Sequence, residues 1–175
     1  MRIRLHDIEE TSKELVYDES TSELNPLLAH GPVHDYAFAG PATIALTHYR
    51  SGQDVFLDGQ TRSRVVGQCA RCAEAFEFAH DPSFSFILVP RAGRWADEDL
   101  EGGGGDMVWY EGDEIDVSPL VRERLMLSLP TLPLCREDCQ GLCPQCGRNL
   151  NQGACGCPAV GDPRLAILHG LKRGA

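Results

Sequence analysis

Short runs of alternating apolar and polar residues, punctuated by glycine, proline and aspartate, fill most of the N-terminal half of the chain. Alternation with a period of two sends successive side chains to opposite faces, so each run predicts a β-strand with one buried face. Short, regularly spaced strands of this kind are typical of an antiparallel meander. The predicted strands are residues 33–38, 42–49, 54–57, 61–66, 75–79 and 83–89.

Two details of these strands carry further expectations. Asp58-Gly59 is a strong signal for a two-residue hairpin turn, which would separate the third and fourth predicted strands. Phe76 and Phe78 share one face of a strand, as do Phe84 and Phe86. Because large aromatic side chains are seldom left exposed, this arrangement favours core packing over a platform for stacking nucleic-acid bases.

Helical spacing appears elsewhere in the chain. Residues 22–30 predict a helical turn that an internal proline breaks. Ser118-Pro119 has the pattern of an N-cap followed by proline at the first helical position, and the apolar residues after it predict a helix. Asp162-Pro163 predicts a similar start for a C-terminal helix over residues 164–172.

Charge is concentrated in one part of the chain. The net charge is −10, yet nine acidic residues and no lysine or arginine lie between Asp97 and Asp116, around a run of four glycines. This composition predicts a solvated acidic loop, with one further strand at residues 107–110. The rest of the chain is almost neutral, which excludes a uniformly basic nucleic-acid-binding protein. The loop is a candidate surface for a basic protein partner.

The composition is globular, and the sequence contains neither a secretory signal nor a membrane span. Of the 175 residues, 42% are hydrophobic and 24% are charged, and no apolar run is long enough to cross a bilayer. The start lacks the apolar core of a signal peptide. We therefore expect a cytoplasmic protein with no membrane partner, in a compartment that keeps thiols reduced.

Eight cysteines carry the candidate chemistry, because their spacing fits metal binding. Two C-x2-C pairs, Cys69/Cys72 and Cys143/Cys146, are the usual half-sites of tetrahedral zinc. The second pair begins a run with too few apolar residues for a core of its own, so metal must supply its folding free energy. We expect one four-sulfur site from this run, formed by Cys143, Cys146, Cys155 and Cys157.

The other four cysteines predict a second zinc site. Cys135 and Cys139 have the i to i+4 spacing of one helical face. Combined with the first pair, they give a site that joins distant segments, formed by Cys69, Cys72, Cys135 and Cys139. A competing grouping leaves the first pair without partners and places one ion on Cys135, Cys139, Cys143 and Cys146. The first grouping uses all eight cysteines and predicts two zinc ions.

Other cysteine chemistries fit this sequence less well. A thioredoxin-like pair lies at the start of a helix, whereas Cys69 ends a β-rich run. The spacing Cys139-x3-Cys143-x2-Cys146 resembles that of radical SAM iron–sulfur enzymes, but too few residues follow it for their barrel. Spacing alone leaves another type of iron–sulfur cluster open. The sequence has no Ser/His/Asp or phosphate-loop motif, so we expect no catalytic residue.

Together these patterns predict an α+β fold. It comprises a mostly antiparallel β-sheet N-terminal domain with a helix and a C-terminal zinc-knuckle or zinc-ribbon-like segment. We expect a β-rich domain at residues 1–95 and an acidic, glycine-rich loop at 96–117. Residues 118–175 are expected to contain the helix and the zinc-binding C-terminal cysteines, packed on the β domain.

The order of motifs from about residue 60 to the C-terminus resembles one known family. The shared elements are Val65-Val-Gly-Gln-Cys-Ala-Arg-Cys72, Leu129-Pro-Thr-Leu-Pro-Leu134, Cys135-x3-Cys-x-Gly-Leu-Cys-Pro-x-Cys-Gly-x-Asn-Leu-Asn151, Cys155-x-Cys157 and Asp162-Pro-Arg-Leu165. They are similar to those of the YceD family, the large ribosomal RNA subunit accumulation proteins. The N-terminal third shares only its β-rich character.

The resemblance implies a bacterial or plastid protein needed for 23S rRNA accumulation and large-subunit maturation, with no established catalytic activity. We expect a non-enzymatic zinc-binding factor in ribosome biogenesis. Its expected partners are the large ribosomal subunit precursor, its rRNA, or ribosomal and assembly proteins. The alternatives are an RNA-processing enzyme or a cofactor of one, and a transcription-linked zinc-ribbon module.

Three polar residues within the cysteine run at residues 143–157 are candidates for partner binding: Arg148, Asn149 and Asn151. The competing interpretation gives them a structural role, in turn formation and in hydrogen bonding to sulfur.

Overall fold

The alternating runs of the sequence form strands, and two other segments form α-helices. The structure is a computed structural model that describes residues 1–29, 36–91 and 106–158. Its helices are α1 (Thr21–Ala29) and α2 (Ser118–Leu127), and short 3-10 turns lie at Leu5–Asp7 and Leu150–Gln152. Its strands are β1 (Arg2–Arg4), β2 (Lys13–Glu19), β3 (Tyr36–Phe38), β4 (Ala42–Ser51), β5 (Asp54–Gln68), β6 (Ala75–His80), β7 (Ser83–Pro90), β8 (Asp106–Tyr110) and β9 (Glu114–Asp116).

Strand β5 connects the two halves of the main sheet. Over its 15 residues, the odd-numbered side chains from Val55 to Gly67 are buried, as its alternating sequence requires. Its first half pairs with β4 and β7, and its second half pairs with β3 and β6, all antiparallel. The pairing of β7 with β8 is parallel. The predicted α+β class with a mostly antiparallel sheet is therefore confirmed.

The hairpin predicted at Asp58-Gly59 is wrong, because these residues lie inside β5. A β-carbon on Gly59 would lie 2.0 Å from Cζ of Phe84 on the neighbouring strand. Glycine is thus present to admit an aromatic ring against the sheet, which is the second common use of glycine in a strand. The chain turns instead between Ser51 and Asp54, where Gly52 has a φ of 64°.

Helix α1 passes through its internal proline, contrary to the prediction of a broken turn. Leu24 and Leu28 of α1 are buried in the core. The side chain of Asn25 fixes the helix to β3: its Oδ1 accepts from Phe38 N–H at 2.8 Å, and its Nδ2 donates to Phe38 O at 3.3 Å. Burial and these two hydrogen bonds offset the backbone bond that a proline removes.

The prediction that Ser118 caps α2 is also wrong. The N-cap position is Val117, and no side chain caps it. Ser118 Oγ instead donates to the buried Glu19 carboxylate at 2.7 Å, and Arg122 pairs with the same carboxylate at 2.8 Å. A buried carboxylate needs such partners, so the hydroxyl of Ser118 serves the packing of α2 on β2.

The segment predicted as an acidic loop, residues 96–117, contains β8 and β9 in its second half. Apolar residues explain the difference, since Ile115 of β9 is buried opposite Ile3 of β1. Residues 30–35, 92–105 and 159–175 lie outside the described part, and with them the start of the strand predicted at 33–38, the glycine run and the predicted C-terminal helix. Residues 107–110 lie in β8, which confirms the strand predicted there.

The hydrophobic core lies between the sheet and the two helices. Phe84 and Phe86 are buried in it and Phe78 packs against it, as predicted, whereas Phe76 packs against a second group of buried residues. This smaller group lies at the far end of β5 and β6 and consists mainly of cysteines. This second group is the start of the candidate site.

Candidate metal centre

The turn between β5 and β6 presents the first two sulfurs. These sulfurs belong to Cys69 and Cys72, which could bind a metal ion. The Ala73 N–H closes the turn by donating to Cys69 O at 2.9 Å. Ala73 has a φ of 57°, a left-handed conformation uncommon for a residue with a β-carbon. The Cys69 N–H donates to Glu74 O at 2.9 Å, so the strand pairing continues up to the first cysteine.

A second segment brings two more sulfurs to this turn. Pro133 O accepts from the Ala70 N–H at 2.8 Å, which sets the segment alongside. Cys135 and Cys139 then lie in a turn closed by a bond from the Cys139 N–H to Arg136 O at 3.2 Å. Their i to i+4 spacing indicated a helical face, but the described structure has no α-helix at residues 128–158.

These four cysteines form what we call the inner cluster: Cys69, Cys72, Cys135 and Cys139. Their sulfurs all lie within 4.8 Å of one another. Sγ of Cys69 is 3.8 Å from Sγ of Cys139, and Sγ of Cys72 is 3.7 Å from Sγ of Cys135. A tetrahedron with metal–sulfur distances of about 2.3 Å has edges of about 3.8 Å, whereas a disulfide needs about 2.05 Å. The spacing therefore suits a metal ion and not a disulfide.

The outer cluster is formed by Cys143, Cys146, Cys155 and Cys157, whose sulfurs also lie within 4.8 Å of one another. Its first turn is closed by the Gly147 N–H, which donates to Cys143 O at 2.9 Å, and the Cys143 N–H donates to Arg148 O at 2.8 Å. Gly156 has a φ of 68°, which allows the tight Cys155-Gly-Cys157 bend.

The structure thus brings together the two sets of four that the spacing favoured. The competing grouping is not observed, because Cys135 and Cys139 belong to one cluster and Cys143 and Cys146 to the other. The clusters differ in burial: three inner cysteines, Cys69, Cys72 and Cys139, are 2%, 3% and 4% exposed, whereas in the outer cluster only Cys143 is buried, at 6%, and Cys146 is exposed.

Electrostatics inside each cluster oppose four simultaneous thiolates. Burial raises the pKa of Cys69, but backbone N–H donors, that of Cys135 foremost, outweigh it and bring the pKa to about 6. Burial raises the pKa of Cys135 to about 12. In the outer cluster, N–H donors of Cys146 and then Gln145 lower the pKa of Cys143 to about 6.

The remaining outer sulfur with a large shift is Cys157. Hydrogen bonds to the sulfurs of Cys146 and Cys155 raise its pKa to about 12. Each cluster therefore pairs a ready thiolate with a neutral thiol, kept so mainly by burial at Cys135 and by bonds to neighbouring sulfurs at Cys157. A divalent cation reverses this balance, because a coordinating thiol is deprotonated outright.

The predicted partner-binding residues are divided by the structure. Arg148 is exposed on the outer cluster. Asn149 and Asn151 are half-buried, and the Oδ1 of Asn149 accepts from both the backbone and the side-chain N–H groups of Asn151, at 2.9 and 2.8 Å. Nδ2 of Asn151 donates to Sγ of Cys139 at 3.3 Å, and this bond lowers the pKa of the Cys139 thiol. These contacts favour the structural interpretation for the two asparagines.

Sequence reasoning missed two residues that assemble the site. The Arg71 guanidinium donates to the carbonyl oxygens of Glu137 and Cys139, at 3.1 and 3.0 Å. Gly141 has a φ of 71°, and a β-carbon there would lie 3.0 Å from Arg71 O. Both residues lie inside the motifs shared with the family, which are the only sequence signal for them, because the motifs do not show which groups Arg71 and Gly141 contact.

The fold and the site define a class: an α+β protein whose sheet ends in two adjacent four-cysteine clusters, the donor set of structural zinc sites. The chain belongs to the YceD family, described as large ribosomal RNA subunit accumulation protein YceD, whose model matches residues 57–172. All eight cysteines lie inside the matched segment.

Two plant proteins named large ribosomal RNA subunit accumulation protein YCED homolog 1, chloroplastic, are similar to the chain. The Zea mays protein is 28% identical over 156 residues, which cover 75% of this chain and 53% of that protein. The Arabidopsis thaliana protein is 25% identical over 148 residues, covering 71% of this chain and 46% of that protein. The chain therefore spans about half the length of these relatives.

An uncharacterized protein of Mycobacterium tuberculosis is 30% identical over 95 residues, which cover 54% of this chain and 44% of that protein. No solved structure matches the chain. Among the described residues, no helix has the length and apolar character needed to cross a bilayer.

Proposed function

We propose that this protein is a non-enzymatic zinc-binding factor in ribosome biogenesis, needed for 23S rRNA accumulation and large-subunit maturation. The observation that carries the proposal is the YceD family match over residues 57–172, which contains both four-cysteine clusters. The names of the plant relatives refer to large ribosomal RNA subunit accumulation as well.

Zinc is the metal that suits the clusters best. Four sulfurs in mutual contact are the soft donor set that zinc and iron–sulfur clusters share. The sulfur–sulfur distances of 3.8 and 3.7 Å in the inner cluster fit the edges of a tetrahedron around one zinc ion. The inner cluster would then tie the sheet to the C-terminal segment, and the outer cluster would fold a run that has little core of its own.

The same geometry supports a role without catalysis. Catalytic zinc keeps one coordination position open for water or substrate. Each cluster offers four sulfurs, which fill a tetrahedral site and leave no position for a reacting water. Both sites would then be closed and would shape a surface instead of performing hydrolysis.

Charge favours a protein or protein–RNA surface on the large-subunit precursor as the partner. A cytoplasmic location, in which thiols are kept reduced, would suit the free cysteines of both clusters. The chain has a net charge of −10 before the clusters are counted. Four thiolates around one dication leave a net charge of about −2, so two loaded clusters add about −4. Such a chain gains little from phosphate neutralisation, whereas a basic ribosomal or assembly protein would attract it.

Co-sedimentation with precursors of the large ribosomal subunit tests the proposal. We expect the zinc-loaded protein to co-sediment, Cys69→Ser to abolish this, and Arg148→Ala to weaken it several-fold. Arg91→Ala is the matched control, since Arg91 is also exposed but lies at the end of β7 beside Glu111. Cells lacking the protein should accumulate less 23S rRNA, and only the variants that bind should restore it.

The same preparation separates the alternatives. Metal-dependent cleavage of precursor RNA by nuclease-free protein, lost in Cys69→Ser, would replace the proposal with an RNA-processing enzyme. Co-purification with RNA polymerase, without ribosomal particles, would replace it with a transcription-linked module.

A further inference from the structure

We propose that Asn151 couples the two clusters, so that metal bound at one site strengthens metal retention at the other. Asn151 lies in the loop of the outer cluster, and its side chain donates a hydrogen bond to a sulfur of the inner cluster. The inference rests on the proposed binding of zinc at both clusters. It assigns Asn151 as a positioning residue, because its side chain acts on the metal through the Cys139 sulfur.

The contacts of Asn151 cross from one cluster to the other. Asn151 lies between Cys146 and Cys155 in the sequence, inside the outer cluster's own loop. Its Nδ2 donates to Sγ of Cys139 at 3.3 Å. Its Oδ1 accepts from the Gln140 N–H at 2.8 Å and from Nη2 of Arg136 at 2.7 Å. One amide group therefore fixes both a ligand sulfur and the turn that presents it.

A donor aimed at a ligand sulfur changes the strength of a metal site. Hydrogen bonds to coordinating groups orient them and tune their basicity, and removing such a partner typically weakens metal binding by about 10–100-fold. The bond from Asn151 spreads the negative charge of the Cys139 thiolate without competing for the metal. We expect the inner cluster to lose metal faster when this donor is absent.

The position of Asn151 depends in turn on the outer cluster. Its loop contains the 3-10 turn at Leu150–Gln152, in which no residue is buried. A loop without buried apolar side chains has little to hold it in place except its hydrogen bonds and the four sulfurs at its ends. Loss of metal from the outer cluster would release the loop and withdraw the donor.

Backbone bonds form a parallel connection between the clusters. The Leu142 N–H donates to Arg71 O of the inner turn at 3.1 Å, and the Leu150 N–H donates to Gly141 O at 2.9 Å. Backbone hydrogen bonds thus link the inner turn to residue 142, and the neighbouring residue 141 to the outer loop. By linkage, the inner site must strengthen the outer site by the same factor.

Metal release into a chromophoric zinc chelator tests the coupling. Asn151→Asp keeps the oxygen that accepts from Gln140 but replaces the donor with an anionic oxygen beside the Cys139 sulfur. We expect zinc release from the inner cluster to become about tenfold faster. Gln152→Ala is the matched control: it removes an amide from the next position, where the Gln152 side chain contacts Glu74 at 3.1 Å and touches no sulfur.

Cobalt substitution adds a readout that a purely structural role would not move. The sulfur-to-cobalt charge-transfer band reports the charge on the ligand sulfurs, so it should shift in Asn151→Asp and stay in place in Gln152→Ala. An unshifted band in both variants would overturn the assignment of Asn151.

A double-mutant cycle isolates the coupling from local damage. Cys155→Ser/Cys157→Ser removes the outer site and should accelerate zinc release from the inner site even with Asn151 present. Adding Asn151→Asp to that background should then have almost no further effect. Additive effects would disprove the coupling while leaving two-zinc binding intact, whereas a wild-type protein with fewer than two zinc ions per chain would instead refute the proposed function.

Discussion

The inner and outer clusters each consist of four cysteine sulfurs, yet the chain assembles these two sets in opposite ways. In the inner cluster, sulfurs in contact are separated by 70 and 63 residues in the sequence, and three of the four are almost fully buried. The outer cluster takes all its sulfurs from residues 143–157, and Cys146 lies on the surface.

This difference assigns the two clusters different structural tasks. A link between distant segments removes much conformational freedom from the unfolded chain, so the inner cluster stabilises the attachment of the C-terminal segment to the sheet. The outer cluster closes only short loops and organises a local surface. We therefore expect damage to the inner cluster to spread directly through the fold, and damage to the outer cluster to reach the sheet only through its smaller effect on the inner site.

The largest expected effect follows from removing an inner sulfur. Cys72→Ser should lower the free energy of unfolding by at least ~3 kcal/mol, since structural zinc supplies ~10–16 kcal/mol in small zinc domains. For a chain of this size, the thermal midpoint should fall by about 6–12 °C, as measured by calorimetry on the zinc-loaded protein.

The matched variant is Cys146→Ser in the outer cluster. It should release about one zinc ion per chain and lower the main unfolding transition by at most about 5 °C, the effect expected from a roughly tenfold weaker inner site. A Cys146→Ser protein that unfolds as early as Cys72→Ser would remove the distinction between the two clusters.

The next effect concerns access to the metal. Because Cys146 is exposed and three of the four inner cysteines are buried, a chelator should remove one zinc ion at least about tenfold faster than the other. Alkylation with iodoacetamide followed by peptide mass spectrometry should modify the outer cysteines during the fast phase. Simultaneous loss of both ions in the wild type would show that burial does not separate the sites.

A smaller effect is expected at the junction of the clusters. Gly141→Ala should cost about 1–2 kcal/mol for the left-handed backbone, plus an additional amount because the new β-carbon would lie 3.0 Å from Arg71 O. Gly112→Ala is the control, since Gly112 has a φ of 80° with nothing within 4 Å of an added β-carbon. Chemical denaturation of both variants should therefore rank Gly141→Ala as the more damaging, and an equal loss would deny the contact any role.

The smallest effect lies in the sheet, away from the sulfurs. Burial lowers the pKa of His80, whose Nε2 lies 3.2 Å from Leu125 O of α2. The neutral ring is therefore the native form, and its stabilising contribution is complete above the unfolded pKa of about 6.5 and declines as the pH falls below it. We expect His80→Gln to flatten the decline in unfolding free energy between about pH 7 and pH 5, by at most about 1.4 kcal/mol per pH unit.

The comparison for this pH series is the wild-type protein measured under the same conditions. If the slope of unfolding free energy against pH is the same in His80→Gln as in the wild type, the acid sensitivity belongs to other groups.

Much of the fold could be predicted from the sequence, because strand alternation is a local property. The predictions failed where a local signal met a tertiary requirement. Asp58-Gly59 is a turn signal, but the ring of Phe84 needs the space that Gly59 leaves. Ser118 is a good cap residue, but the buried Glu19 carboxylate needs its hydroxyl.

The grouping of the cysteines was predictable in the same limited sense. Spacing alone pairs Cys143 with Cys146. The grouping of Cys69 with Cys139 could be predicted only by assuming that all eight cysteines belong to metal sites. The bond from Asn151 to the Cys139 sulfur lay beyond prediction, since it joins the loop of one cluster to a ligand of the other. No periodicity in the sequence encodes a contact of that kind.

The central claim is that two zinc ions, each enclosed by four sulfurs, shape this protein. Counting the zinc ions bound to the native chain tests this claim most directly. Protein purified without chelators and weighed by native mass spectrometry should contain two zinc ions per chain, and each cluster's serine variant should retain one. A folded native protein that contains no metal, or that links these cysteines as disulfides, would contradict the account.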